Sequence, residues 1–180
     1  FIHKLCSIYF NRDTFHDKYG LNSFSANIIH SGGSEGAWHL DSVLPDPIPV
    51  KYPIRLQIII SLDEFTKLNG STAVAPGSHK FGRRPNDMEA KELGKGYLVE
   101  CPPGSLLLFN SNTWHKNTAN QSTNSRYALL ASFAASYFME VCGEEEHLSI
   151  ISDNLKKELH PRLQQMIGYR RAIKKAAIFK

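Results

Sequence analysis

The sequence predicts a mainly β fold of the jelly-roll type with a helical C-terminal segment. Three observations carry this. About eight short β-like runs follow one another, separated by Gly- and Pro-rich punctuation. One of them, Ile54-Arg-Leu-Gln-Ile-Ile-Ile-Ser-Leu62, is an almost unbroken apolar run of the kind buried on both faces. After Gly143 the apolar spacing changes to that of a helix, with Leu148, Ile151 and Leu155, then Leu159, Leu163 and Ile167.

At 180 residues the chain has the size of one domain. A single domain is expected over 1–180, with its β core at about 24–139 and its helical segment at about 144–175. Leu5, Ile8 and Tyr9 have helical spacing, so a helical remnant precedes the core. Phe24 to His30 is β-like and runs into the Ser31-Gly-Gly-Ser34 loop, and Gly36 to Asp41 reads as a short alternating strand. The four prolines at 45, 47, 49 and 53 exclude a sheet interior and predict a rigid surface loop. Asn69-Gly70 marks a tight turn before a strand at 71–75, which Pro76-Gly77 ends. A short helix is expected near 87–93. Strands follow at 97–100, 105–110 and 113–117, and a long one at 126–138. The chain starts at Phe1 without a methionine, as a trimmed or partial chain would.

Composition narrows the function classes. Hydrophobic residues make up 42% and charged residues 21%, which suits a packed globular core. The net charge of +4 is mild and much of it sits at the C-terminus (Arg170, Arg171, Lys174, Lys175 and Lys180), without the basic stripe and aromatic partners of a nucleic-acid binder. No apolar run reaches the ~20 residues of a membrane span. Cys6, Cys101 and Cys142 are odd in number and widely spaced, so a cytoplasmic or other reducing compartment is expected. The sequons at Asn69 and Asn120 are too short to carry weight. A small-molecule partner remains, with neither nucleic acid nor membrane.

The chemistry begins at Trp38-His-Leu-Asp41. On a strand, residues two apart share a face, so His39 and Asp41 project together. An imidazole beside a carboxylate supplies two members of a two-His-one-carboxylate triad, the donor set of non-haem iron(II) oxygenases. Zinc would more often take further nitrogen or sulfur donors. Among eight histidines such a tripeptide is unspecific by itself. The second imidazole has four candidates: His79, His115, His147 and His160. His115, just after an apolar strand, ranks first and His79 second. Arg126 opens an apolar strand, where it either grips a buried anion with its planar fork or snorkels to water.

These residues, taken together, resemble the phytanoyl-CoA dioxygenase family of iron(II)/2-oxoglutarate oxygenases. The matching stretches are Trp38-His-Leu-Asp41, Asn69 to Lys80 (Asn-Gly-Ser-Thr-Ala-Val-Ala-Pro-Gly-Ser-His-Lys), Pro103-Gly104-Ser105, Trp114-His115 and Arg126, in the family's order over roughly 24–139. The resemblance implies a double-stranded β-helix, a cupin-like jelly roll. It implies His39, Asp41 and His115 as iron ligands and Arg126 as the clamp on the distal carboxylate of 2-oxoglutarate. It also implies Gln57, Asn117 and Thr72 as co-substrate contacts, although a mid-strand Gln57 bonded to backbone is an equal reading of the residue itself. The implied activity is dioxygenation with iron(II), 2-oxoglutarate and O2, hydroxylating or otherwise oxidising a C–H bond. The carboxylate at 41 separates it from related halogenases, which carry a small residue there. The Pro-rich loop after Asp41 becomes the candidate substrate lid, and the Pro76 to Lys80 segment is given a structural role. Two other readings stand beside this one: a cupin-type metal enzyme independent of 2-oxoglutarate, with no need of Arg126, and an inactive oxygenase fold used as a binding module.

Overall fold

The structure, a computed structural model, describes residues 1–10, 19–42, 44–51, 54–135, 138 and 150–168. The chain divides into two compact units, one of residues 1–24 with 131–180 and the other of residues 25–130.

The structure contains two sheets. The first has the order β1-β7-β2-β5, where β1 is Tyr19–Ile29, β2 Arg55–Ser61, β5 Leu106–Asn110 and β7 Arg126–Ala135. The second has the order β4-β3-β6, where β3 is Thr72–Val74, β4 Tyr97–Leu98 and β6 His115–Asn117. Mainly β structure in two such sheets agrees with the jelly roll expected from the punctuation pattern. In β2, Leu56, Ile58 and Ile59 are buried, as the apolar run demands. Opposite on β5, Gln57 pairs with Phe109 and Ile59 with Leu107. Ile59, Phe65 and Ala128 form a buried apolar cluster, with Cys101, Leu107, Phe109 and Leu130 packed on it.

Two expectations change. The segment Gly36 to Asp41 is not a continuous strand; it meets β6 through an antiparallel bridge between His39 and His115 and a bond from the Gly36 amide to Asn117 O at 3.0 Å. The strand expected over 126–138 is described as far as Ala135; residues 136 and 137 lie outside the described residues, and Phe138 is helical. Helix α2 (Asp87–Leu93) forms where expected, started by a capping box in which the Asn86 side chain accepts from the Glu89 amide.

Loop residues supply the joints. Gly70 has φ +80°, and a Cβ there would lie 2.6 Å from Ile29 Cγ2. Only glycine meets both conditions without strain. The two sequon asparagines are consumed by the fold. Asn69 bonds the Glu64 carbonyl and the Thr66 amide. Asn120, 1% exposed, donates to the carbonyls of Ile29 and Asn124. Ser78 is a buried pin: its hydroxyl donates to Ala75 O at 2.7 Å and accepts from the Trp114 amide at 2.8 Å. The Pro76 to Lys80 segment is therefore structural, as expected.

In the smaller unit, α1 (Ile2–Phe10) realises the weak N-terminal periodicity, and Phe10 stacks on Tyr19. Cys6 is buried, and burial pushes its thiol up to about 12. It and Cys101 are free thiols, and Cys142 lies outside the described residues. The helical tail is resolved into α3 (Asp153–Glu158) and α4 (Pro161–Met166), the latter opened by Pro161. Residues 144–149 and 169–175 of the expected helical segment lie outside the described residues. Among the described residues no helix is long and apolar enough to cross a membrane.

Candidate metal and co-substrate centre

The bridge that replaces the expected strand also joins the two imidazoles. The His39 amide donates to the His115 carbonyl at 3.0 Å, and the His115 amide returns the bond at 2.8 Å. Residues paired this way across antiparallel backbone put their side chains on one face. The two rings accordingly lie 4.4 Å apart between centroids. Asp41, two residues on, has its amide fixed to Ser111 O at 2.9 Å and turns its carboxylate into the same space. Oδ1 lies 3.7 Å from His39 Nε2, and Oδ2 lies 3.5 Å from His115 Nε2. One ligand atom from each residue falls within 4.8 Å of the other two.

Both imidazoles are oriented alike. His39 Nδ1 bonds Ala37 O and His115 Nδ1 bonds Thr113 O, each at 2.9 Å. A proton on Nδ1 serves those carbonyls and leaves both Nε2 lone pairs facing Asp41. Phe109 packs edge-on against the His115 ring with centroids 4.8 Å apart. Burial holds the His115 pKa below its ordinary value against the opposing pull of Asp41, which keeps the ring in the neutral, ligating form. Two imidazole nitrogens and a carboxylate oxygen, convergent and pre-oriented, are a donor set that fits a divalent first-row metal.

A pocket of about 170 Å³ opens beside the triad, room for a small organic anion given ~30 Å³ per water molecule. Its lining takes Gln57, Phe109 and Arg126 from the first sheet and Thr72, His115 and Asn117 from the second. Thr72 and Asn117 are register partners on β3 and β6. At the far wall stands Arg126, 2% exposed, its guanidinium 4.3 Å above the Phe65 ring. Nη2 donates to Gly70 O at 2.6 Å and Nη1 to Asn27 Oδ1 at 3.2 Å. Its Nε–H has no partner, and among the described residues no carboxylate lies at ion-pair distance from it. Burial lowers its pKa to about 10, which still leaves it charged at neutral pH. At 2% exposure Arg126 does not reach bulk water, so the snorkelling alternative falls, and a buried cation beside a pocket has the charge to take an anion as partner.

The sequence reading therefore brings together His39, Asp41, His115, Arg126, Gln57, Asn117 and Thr72 around one pocket. His79 and His160 lie elsewhere, in a 3-10 turn and at the start of α4, and His147 is outside the described residues. Two contributors escaped that reading. Asn27 holds Arg126, and Arg55 donates from Nη1 to Asp41 O at 2.7 Å. The period-two face that Arg55 shares with Gln57 was the available signal. The Pro-rich loop does not behave as a free lid. Arg84 donates to Ser42 O and Leu44 O and pairs with Asp46, while the Ile48 amide donates to Gly82 O. None of residues 44–51 lines the pocket. Arg83 is also occupied, by a two-point bond to Glu89 at 2.7 and 2.6 Å.

Behind the triad, Trp38 is buried and sits under the Lys116 ammonium, 5.3 Å from the ring. Gly96, at φ +61°, abuts it: a Cβ there would fall on Trp38 Cη2 and 2.7 Å from Cζ2. Gly96→Ala is expected to cost about 1–3 kcal/mol through overpacking and left-handed strain. A denaturant-unfolding midpoint equal to that of the parent protein would contradict this.

Comparison with known proteins bears on the same residues. The Phytanoyl-CoA dioxygenase (PhyH) family profile matches residues 4–128. The chain belongs to the phytanoyl-CoA dioxygenase family. Among its relatives, dioxygenase andF of Emericella variicolor is 29% identical over 175 residues, 94% of this chain and 58% of that one. Dioxygenase cdmA of Talaromyces verruculosus is 28% identical over 159 residues, 86% of this chain and 52% of that one. An uncharacterised Mycobacterium tuberculosis protein is 30% identical over 118 residues, 66% of this chain and 41% of that one. The chain thus spans about half the length of these relatives. Among solved structures, that of EvdMO1 superposes with a TM-score of 0.59 at 19% identity, covering 74% of this chain and 30% of that one, a likeness of fold. The family's matched region contains the whole triad and Arg126.

Proposed function

We propose that this member of the phytanoyl-CoA dioxygenase family is an iron(II)- and 2-oxoglutarate-dependent dioxygenase that hydroxylates, or otherwise oxidises, a C–H bond of a small organic substrate. The observation that supports the reading is one pocket lined both by a convergent His-Asp-His donor set and by a buried guanidinium that has no carboxylate partner among the described residues. A metal enzyme of the same fold that takes no keto acid would have no use for the second feature, which costs desolvation without an anion to offset it.

His39, Asp41 and His115 would hold iron(II). When bound, the metal and its keto acid supply the activation of O2, with oxidative decarboxylation of 2-oxoglutarate to succinate and CO2 coupled to oxidation of the substrate. Arg126 would receive the distal carboxylate, backed by Asn27 and Gly70 so that its fork is already aimed. Asn117 and Thr72 would supply polar contacts along the keto acid. Phe109, Ile59 and Leu130 would form the dry wall that keeps solvent from the reacting centre. The Asp41 carboxylate fills the position a halide would need, which favours hydroxylation over halogenation.

Anaerobic reconstitution with iron(II), followed by 2-oxoglutarate and O2, tests the proposal. Succinate should form in step with CO2, slowly without substrate and faster with a productive one. Metal binding without any 2-oxoglutarate consumption across a broad substrate panel would favour the keto-acid-independent enzyme or the binding module instead.

A further inference from the structure

We infer that Gln57 is a positioning residue that restricts Asp41 to a single coordinating oxygen; the inference rests on the metal-centre reading above. The carboxylate stands between two imidazoles, with a different oxygen facing each: Oδ1 toward His39 and Oδ2 toward His115. Nothing in that symmetry prevents both oxygens from chelating one ion. The asymmetry comes from β2, whose Gln57 Nε2 donates to Oδ2 at 2.7 Å. That bond engages a lone pair of Oδ2 and draws negative charge toward it, which leaves Oδ1 as the stronger donor.

The rest of β2 shows why Gln57 can do this reliably. Arg55, on the same face, fixes the Asp41 carbonyl, so backbone and carboxylate of one ligand are both held from a single strand. Its register partner Phe109 packs the His115 ring. Two neighbouring positions of one strand pair therefore orient two of the three ligands. The amide is half-buried in an apolar strand, where an unpartnered polar group is costly, so the bond to Asp41 also satisfies Gln57 itself.

The chemical consequence concerns vacant positions. A facial triad leaves the opposite face of an octahedral ion open. The proposed reaction would need that face for the keto acid and O2. A chelating Asp41 would take one of those positions. By holding Oδ2, Gln57 keeps the last position available.

Mn(II) serves as the probe, titrated into metal-free protein, with bound-water relaxation read on the saturated complex. Gln57→Met, an unbranched apolar near-isostere, and Gln57→Leu are compared with the parent chain and with Asp41→Ala. Metal-free melting curves establish that each variant is folded. Without the amide, Mn(II) affinity is expected to fall about 10- to 100-fold, the usual effect of losing an outer-shell partner. Water relaxation per bound Mn(II) is expected to drop as the second oxygen displaces a water, which a general loosening of β2 would not produce. Parent-like affinity and relaxation in both folded variants, with Asp41→Ala unable to bind, would overturn the inference and leave the metal centre standing. Unchanged Mn(II) binding with only a raised 2-oxoglutarate requirement would overturn it too and make Gln57 a co-substrate contact. Failure of the parent chain to bind Mn(II) better than Asp41→Ala would sink the metal-centre reading itself.

Discussion

Asp41→Ala is expected to abolish substrate-linked succinate formation, a loss of about a thousandfold or more, together with tight binding of a divalent metal. The expectation follows from ligand count. Two imidazoles alone hold a ferrous ion weakly, and the carboxylate is the only anionic donor in the set. The substitution is also unusually clean. The contacts that Asp41 makes with the fold run through its backbone: its amide to Ser111 O, and its carbonyl to Arg55 Nη1. Removing the carboxylate leaves both in place and frees only the half-buried Gln57 amide at the pocket wall, a loss worth about 1 kcal/mol. The variant should fold with a metal-free melting midpoint near that of the parent, so lost activity is lost chemistry. His115→Ala removes a ligand as well, but His115 is 8% exposed and packed by Phe109, so a cavity cost of roughly 2 kcal/mol or more would confuse the result. Full turnover by Asp41→Ala would show that the triad is not the metal site.

Why these residues could be recognised before the fold was seen, and others could not, has a physical explanation. His39 and Asp41 are two apart, and local strand geometry alone puts them together. Ile54 to Leu62 announced itself by unbroken apolarity. His115 needed more, because its partnership with His39 is a single backbone bridge across 76 residues, and no local pattern encodes such a pairing. Family resemblance supplied what periodicity did not. The same limit explains the Pro-rich loop. Its prolines correctly excluded a sheet, but the groups that hold it, Arg84 and Gly82, lie some 40 residues downstream. Adjacent in sequence, Arg83 and Arg84 serve different parts of the fold: one braces α2 through Glu89 and the other clasps the loop. Arg126 was open to two readings, and its burial removes one of them, the side chain snorkelling to water. Burial is a property of the whole unit, not of the Arg126-Tyr-Ala-Leu run.

Arg126→Lys is expected to raise the 2-oxoglutarate requirement about 10- to 100-fold, with turnover at saturating co-substrate much less affected. A charge-assisted bond is worth roughly 1.5–3 kcal/mol, and an ammonium keeps the charge but loses the planar two-point fork. Lysine also cannot serve Gly70 O, Asn27 Oδ1 and a bound carboxylate with the same fixed geometry. The pH dependence has a definite sign. Burial lowers the Arg126 pKa to about 10, well below the ordinary guanidinium value. Between those values the unfolded chain binds the proton that the folded chain has released, so this group makes stability rise with pH there. The anion site behaves oppositely: 2-oxoglutarate affinity should hold through neutral pH and fall as pH passes about 10, where the folded guanidinium discharges. Bound co-substrate favours the charged form, so saturating 2-oxoglutarate should move that break upward and flatten the alkaline gain in stability. Fluorescence titration of the anaerobic metal complex at several pH values, with melting curves alongside, reads both effects. An unchanged requirement in Arg126→Lys, with melting curves that ignore 2-oxoglutarate above neutral pH, would take Arg126 out of the co-substrate site and return its buried charge to the fold alone.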